Sequence, residues 1–298
     1  MDAISLENVT KAYEEVTAVD HVSLQVREGA VLGLLGPNGA GKTSTIRMIM
    51  NILVPDEGSI RVFGQPVSDA TREAIGYLPE ERGLYPRMKV LNVIVFLGAL
   101  RGLPEDEAEK RAREWLDRLE LHDWADKKVQ ELSKGMQQKV QFICAVLHKP
   151  KLMILDEPFS GLDPVNAATL ESTMLELRSQ GSTIVLSTHR MDQVEKMCDS
   201  ICLINKGHNV LDGDLRSIKQ SYGKNTVRIE FDGPDTFLTH AALESVKRFA
   251  SGAEAKLKAG GDPQEILKGA LAAGARIYRF ELLEPSLNEI FIEKTAHA

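Results

Sequence analysis

A chain of 298 residues, 43% hydrophobic and 27% charged, has an ordinary globular balance, with material for one large domain or two smaller ones. Its formal net charge of -7 argues against a chain whose main task is to coat nucleic acid or an anionic membrane, because both tasks rest on excess lysine and arginine. Three cysteines, Cys144, Cys198 and Cys202, form neither an even disulfide framework nor a paired CxxC metal pattern, and fit small buried hydrophobes in a reducing compartment.

The first two runs, "AISLENVTKAY" and "VDHVSLQV", are β-rich, and the second sets Val22, Leu24 and Val26 on one face, which predicts a half-buried antiparallel layer. "AVLGLLG" then enters a glycine loop and the helix-like "GKTSTIRMIMNI", the strand, loop, helix order of a phosphate-binding α/β unit. The longest apolar run, "VLNVIVFLGAL", is far short of the roughly 20 residues that a spanning helix needs, so it predicts a buried helix. No charged-then-apolar leader opens the chain, and any membrane contact is expected to pass through a partner. "PEDEAEKRAREWLDRLEL" carries Ala108, Ala112, Trp115, Leu116 and Leu119 at helical spacing behind an acidic first turn, which predicts an inserted helical subdomain over about residues 83–148. "KLMILDEP" and "STIVLSTH" are continuously apolar, as strands covered on both faces of a parallel sheet are. After "QSYGKNT" the pattern changes: Val227, Ile229 and Phe231 alternate, "PQEILKGALAAG" predicts a helix ending at Gly274, and "ARIYRFELL" predicts a strand. An α/β domain over 1–220 followed by a small α+β domain over 222–298 accounts for this order, with one copy of the phosphate loop.

"GPNGAGKT" satisfies GxxxxGK[ST] between a predicted strand and a predicted helix. In that context backbone N–H groups of Gly36, Pro37's neighbours Asn38 and Gly39, and Ala40 to Ser44 curl around phosphate oxygens at the positive end of the helix. Lys42 would reach the β and γ phosphates of a nucleoside triphosphate, and the Thr43 hydroxyl would ligand Mg²⁺. "KLMILDEP" ends a buried strand in two carboxylates with no evident salt-bridge partner, for which a metal is the simplest compensation. Asp156 would hold hydrated Mg²⁺ and Glu157 would orient and deprotonate an attacking water; the competing reading is a capping or surface acid pair. In "ELSKGMQQKVQFICAVLH", Met136, Val140, Ile143 and Leu147 define an amphipathic helix with Ser133 as its N-cap, and a serine, a glycine and free helix N–H groups together suit an anion. A well-capped helix alone explains Ser133 but does not call for Gly135.

"GPNGAGKT", "LSKGMQQ", "LMILDEP", "SGLD" and "STH", in this order over roughly residues 3 to 220, resemble the ATPase cassette of ABC transporters. The resemblance implies a P-loop NTPase cassette with a mainly parallel core sheet, an antiparallel β layer and an inserted helical subdomain, binding ATP and Mg²⁺. It implies that Tyr13 stacks on adenine, with Gly36, Pro37, Asn38, Gly39, Ala40, Gly41, Lys42, Thr43 and Ser44 around the phosphates. Ser133 and Gly135 would bind the γ phosphate of ATP held by a second copy, Asp163 would lie at the shared interface, and His189 would contact the γ phosphate. The signature departs from the commonest form, with Lys134 for a glycine and Met136 for a glutamine. "PSLNEIFIEKT" resembles the tail of ABC-2-type exporter ATPases of the sodium or drug efflux kind, although Leu287, Ile290 and Phe291 behind Ser286 also fit any terminal docking helix.

The reading that follows is an ATPase subunit that dimerises on ATP to drive a separate membrane permease, with no nucleic-acid partner, held at the inner face of the cell membrane through that permease. Two alternatives stay open at this point: a soluble ABC-type ATPase acting on ribosomes or DNA, against which stand the single cassette and the lack of a basic linker, and a nucleotide switch without transport, against which stand Glu157 and His189. In "YLPEERGLYPRM" the family usually has glutamine where this chain has Glu80. An ionised glutamate accepts hydrogen bonds but cannot donate to a phosphate oxygen, so Glu80 is expected either to reach Mg²⁺ through its water shell or to be a solvent-facing loop acid. Glu81, Arg82, Tyr85 and Arg87 are expected to form a docking surface for the permease.

Overall fold

The computed structural model describes every residue except Arg82, Lys224, Ala259, His297 and Ala298, and it contains two compact units, Met1–Gly213 and Asp214–His297. Arg82, one of the expected docking residues, therefore lies outside the described residues. The composition break at Tyr222 falls about one short helix after the division between the units, because the Gly223 turn is a stronger local signal than Asp214, whose side chain caps the next helix by accepting from Ser217 N at 2.7 Å.

The first unit holds two sheets. An antiparallel sheet has the order β2-β1-β4-β5, formed by β1 (Asp2–Tyr13), β2 (Val16–Arg27), β4 (Glu57–Val62) and β5 (Gln65–Pro66). Val19, Val22, Leu24 and Val26 of β2 are buried and alternate with exposed residues, as a sheet with one wet face requires. The second sheet has the order β10-β9-β3-β8-β7-β6, from β3 (Val31–Leu35), β6 (Ile75–Leu78), β7 (Leu152–Asp156), β8 (Thr183–Ser187), β9 (Ser200–Asn205) and β10 (His208–Asp214). Pairing is parallel from β9 through β3, β8 and β7 to β6, and every residue of β3, β7 and β8 is buried. Helices α1 (Lys42–Ile49), α2 (Asp69–Glu73), α6 (Pro164–Ser179) and α7 (Met191–Met197) connect these strands.

Between β6 and β7 stand α3 (Val90–Ala99), α4 (Glu105–Arg118) and α5 (Lys134–Val146), the expected helical subdomain. Ala108 and Ala112 are fully buried, and a side chain at Gly98 would come within 2.7 Å of Leu147 Cδ2, so small residues let α3, α4 and the end of α5 approach closely. Trp115 and Phe142 pack edge to face with centroids 6.1 Å apart. Among the described residues no helix is long and apolar enough to cross a membrane.

The second unit begins with α8 (Leu215–Ser221) and contains a four-stranded antiparallel sheet, β12-β13-β11-β14, from β11 (Thr226–Asp232), β12 (Leu243–Phe249), β13 (Gly252–Leu257) and β14 (Arg276–Leu283). Val227, Ile229, Ala253 and Ala255 are fully buried in one cluster with Ile266 and Ala270 of α9 (Pro263–Ala272). The terminal helix α10 (Leu287–Ala296) starts at Ser286, whose Oγ accepts from Glu289 N while Glu289 Oε2 accepts from Ser286 N, a reciprocal cap.

Candidate functional site

The loop from β3 to α1 forms because two of its glycines do what no other residue can. Gly36 has φ +147° and any Cβ there would lie 2.2 Å from the Ile204 carbonyl oxygen, while Gly41, at φ +111°, would meet the Ala18 carbonyl at the same distance. Gly36→Ala is therefore expected to destabilise the chain by ~2 kcal/mol or more, read as a lowered melting temperature, and to abolish nucleotide binding with it. Lys42, only 8% exposed, folds back so that Nζ donates to the carbonyls of Gly36 at 2.7 Å and Pro37 at 3.0 Å. Burial holds its pKa below the usual lysine value, and the carboxylates of Glu157, Asp156 and Glu80 pull the other way. Gly36 and Pro37 thus act on the site from behind, through the lysine.

The end of β7 supplies the acids. Asp156 is 2% exposed, and burial first, then Glu80 and Glu157 beside it, pushes its carboxyl above the usual range. Thr43 Oγ1 stands 3.5 Å from Asp156 Oδ2, and Asp156 pairs in register with Ser187 of β8, whose buried hydroxyl sits against the carboxyl and opposes that rise. The Thr43 hydroxyl and the buried Asp156 carboxylate are an oxygen donor pair suited to Mg²⁺, whose charge would favour the ionised carboxylate against the burial that raises its pKa. Among the described residues no three acids, histidines or cysteines converge to cage a metal.

Glu157 departs from strand geometry: its φ is +48°, a left-handed turn fixed by donation from its N–H to Ser187 O at 2.8 Å. The turn delivers its carboxylate to the end of β8. Oε1 accepts from the His189 backbone N–H at 3.0 Å and lies 2.7 Å from His189 Nδ1, and Oε2 accepts from Thr188 Oγ1 at 3.1 Å. Because an ionised carboxylate only accepts, Nδ1 carries the hydrogen. Of about four lone-pair positions on the carboxylate, the free one is on Oε2, the atom placed to take a proton from water. Thr188, fully buried, is a positioning residue that nothing in the sequence marks beyond its adjacency to His189.

These groups line one cavity of about 380 Å³: Ala18, residues 38–44, Glu80, Asp156, Glu157 and His189. Tyr13, at the end of β1 and 44% exposed, is not among its lining residues; the Lys11 Nζ lies 5.9 Å from its ring centroid. A separate cavity of about 470 Å³ is lined by Ser133, Lys134, Gly135, Met136, Lys139, Gly161, Asp163 and Asn166, with Glu120, Leu121 and Trp124. Ser133 caps α5 by accepting from Met136 N at 3.2 Å. Asp163 caps α6, accepting from Val165 N and Asn166 N, and the bonds from Asn166 hold its carboxyl below the usual range. Gly135 has a packing reason absent from the sequence pattern: a Cβ there would press to 3.2 Å on the Gly161 carbonyl and 3.3 Å on Leu162 Cδ2. The two sets of lining residues share no member.

Comparison with known proteins identifies the family. The family model described as ABC transporter matches residues 19–160, and one described as the C-terminal domain of DrrA1-3-like ATP-binding proteins matches residues 213–295. The chain is 47% identical over 292 residues to the uncharacterized ABC transporter ATP-binding protein YhaQ of Bacillus subtilis, covering 98% of each chain. It is 33% identical to the Nod factor export ATP-binding protein I of Sinorhizobium fredii, covering 98% of this chain and 86% of that one. Among solved structures, the dimeric post-hydrolysis state of the ATP-binding cassette MJ0796 with ADP and Pi superposes with a TM-score of 0.66 at 26% identity, over 72% of this chain and 99% of that one.

Proposed function

The chain belongs to the ABC transporter family of ATP-binding subunits, and from that membership we propose that two copies of it close on ATP and drive a separate membrane permease as an exporter. One observation carries the reading: the lysine, the acids and His189 line one cavity while Ser133, Gly135 and Asp163 line another, with no residue in common. Each cavity is half of a site. Two chains set head to tail join the phosphate loop of one to the signature helix of its partner, and the pair closes with two-fold symmetry.

In each joined site Lys42 and the N-terminus of α1 neutralise the triphosphate, and Ser133 of the other copy meets the γ phosphate. Thr43 and Asp156 would hold Mg²⁺, which would supply positive charge for the transferring phosphoryl oxygens. Glu157 Oε2 accepts the proton of the attacking water, and His189, steadied through Nδ1 by the same carboxylate, lines the cavity beside it. Cleavage removes the γ phosphate that bridges the two copies, and the pair separates. The relation to an exporter ATPase and the matching C-terminal domain support export.

The permease is assigned to the face beside Glu80 and Glu81, where Tyr85 and Phe96 pack edge to face at 5.8 Å while both stay exposed, with exposed Leu100 one turn along α3. Apolar area of this kind beside Arg87 suits an amphipathic cytoplasmic helix. Purification in detergent is expected to recover a polytopic membrane protein with the chain; ribosomes or DNA in its place would refute the assignment. In that complex Glu80→Gln is expected to raise the Mg²⁺ needed for half-maximal hydrolysis several-fold and to lower stimulation by the permease. Unchanged values of both would refute the water-shell role of Glu80.

A further inference from the structure

Helix α5 does more than present Ser133. At 13 residues it is about 20 Å long. Its N-terminus lines the second cavity, and its body is bonded to the segments that follow β6 and β7, whose Glu80 and Glu157 line the first. Two glutamines three residues apart make that contact, on one side of the helix. Gln138 Nε2 donates to the carbonyls of Glu157 at 3.3 Å and Pro158 at 3.0 Å. Gln141 Nε2 donates to the carbonyls of Pro79 at 3.2 Å and Glu81 at 3.1 Å, and so brackets Glu80. Both glutamines are buried, at 2% and 5% exposed.

The Gln141 amide cannot be turned over, since Oε1 would then face the carbonyls of Pro79 and Glu81. In the observed orientation both hydrogens are used, and buried Oε1 has no partner among the described residues. A buried acceptor left without a donor is costly. A small displacement of the segment 79–81 along α5 that brought the backbone N–H of Glu80 or Glu81 to Oε1 would exchange one hydrogen bond for another, so the unused acceptor gives this contact a second partner to move toward.

We infer that Gln141 is a positioning residue coupling the two nucleotide sites of the dimer: occupancy felt at Ser133 is carried along α5 and sets the approach of Glu80 to the other site. The inference rests on the two-copy reading above. Gln138 addresses Glu157 itself, so its loss would act on the chemistry directly; Gln141 reaches only the Glu80 segment and isolates the coupling.

The test uses the full chain with Mg²⁺ and ATP, comparing wild type with Gln141→Met, similar in volume and without donors. Wild type is expected to hydrolyse ATP with a Hill coefficient approaching about 2. Gln141→Met is expected to bring it near 1 and to raise the half-activating Mg²⁺ several-fold, while half-saturating ATP moves by less than about twofold. Gln141→Asn, a methylene too short to bridge both carbonyls, gives the same readout if the methionine variant fails to fold. A variant that loses thermal stability but keeps the wild-type Hill coefficient and Mg²⁺ dependence overturns the coupling role alone. A wild type that hydrolyses ATP with a Hill coefficient of 1 also overturns the coupling, whereas a wild type that stays monomeric with ATP and Mg²⁺ overturns the two-copy reading beneath it.

Discussion

Glu157→Gln is expected to leave ATP binding intact, to lower turnover by about two to four orders of magnitude, and to hold the chain as a dimer whenever ATP and Mg²⁺ are present. The amide is the size of the carboxylate and keeps an oxygen that can accept from the His189 backbone N–H, so the left-handed turn at residue 157 and the loop around it persist. What disappears is the free lone pair on Oε2, the only position from which that side chain could take a proton from water. One negative charge also leaves a site that already holds Asp156 and Glu80, which favours the incoming triphosphate. Tighter binding with halted chemistry is the combination that distinguishes a base from a structural residue, whose loss would weaken both. Size-exclusion chromatography with and without ATP, beside a phosphate-release assay, reads the two effects separately; brisk turnover would exclude Glu157 as the base.

Much of this arrangement is legible in the sequence, and for identifiable reasons. The run into "GPNGAGKT" combines a continuous apolar strand with glycines at positions where neighbouring carbonyls forbid a Cβ, so composition alone marks both the strand and the turn. Ser133 and Ser286 are side chains that close helix ends locally, and local hydrogen bonds leave local patterns. The strands β12 and β13 left none. β12 is an edge strand with mostly exposed residues, and β13 buries Ala253 and Ala255, which are too small to raise an alternating apolar signal. Thr188, Gln138 and Gln141 were equally silent, because each acts on a backbone or side chain that only folding brings near: Glu157 for the first two and the Glu80 segment for the third.

Gly135 shows how a motif residue can have a cause that the motif does not state. As part of a serine-glycine signature it is expected to bind an anion, yet its contact with Gly161 and Leu162 gives a packing demand that holds without any ligand. The same contact ties the start of α5 to the turn before Asp163, the two features expected to face a second copy. Shape and binding therefore select the same residue, and substitution at Gly135 alone cannot separate them. Ser133 is the better probe, since its hydroxyl caps α5 at an exposed end and a bulky cation there would block the cavity without disturbing the core.

Mixing two defective chains is expected to restore what neither has alone. In a Glu157→Gln background, so that bound ATP is retained, Lys42→Ala removes the cation from the first cavity and Ser133→Arg fills the second. Lys42 is buried beside three carboxylates, and its loss leaves them facing the triphosphate unopposed. If each site joins the first cavity of one copy to the second cavity of the other, either chain alone is defective at both of its sites and retains almost no ATP. In a mixed pair, one site combines both defects and the other combines an intact lysine with an intact serine. With random pairing about half of the dimers are mixed and each holds one good site, so roughly a quarter of an ATP per chain is retained. A site completed within one chain predicts none, because every chain in the mixture carries one defect. Retention at the level of the separate chains would therefore refute the shared site, and with it the role of ATP as the element that joins two copies.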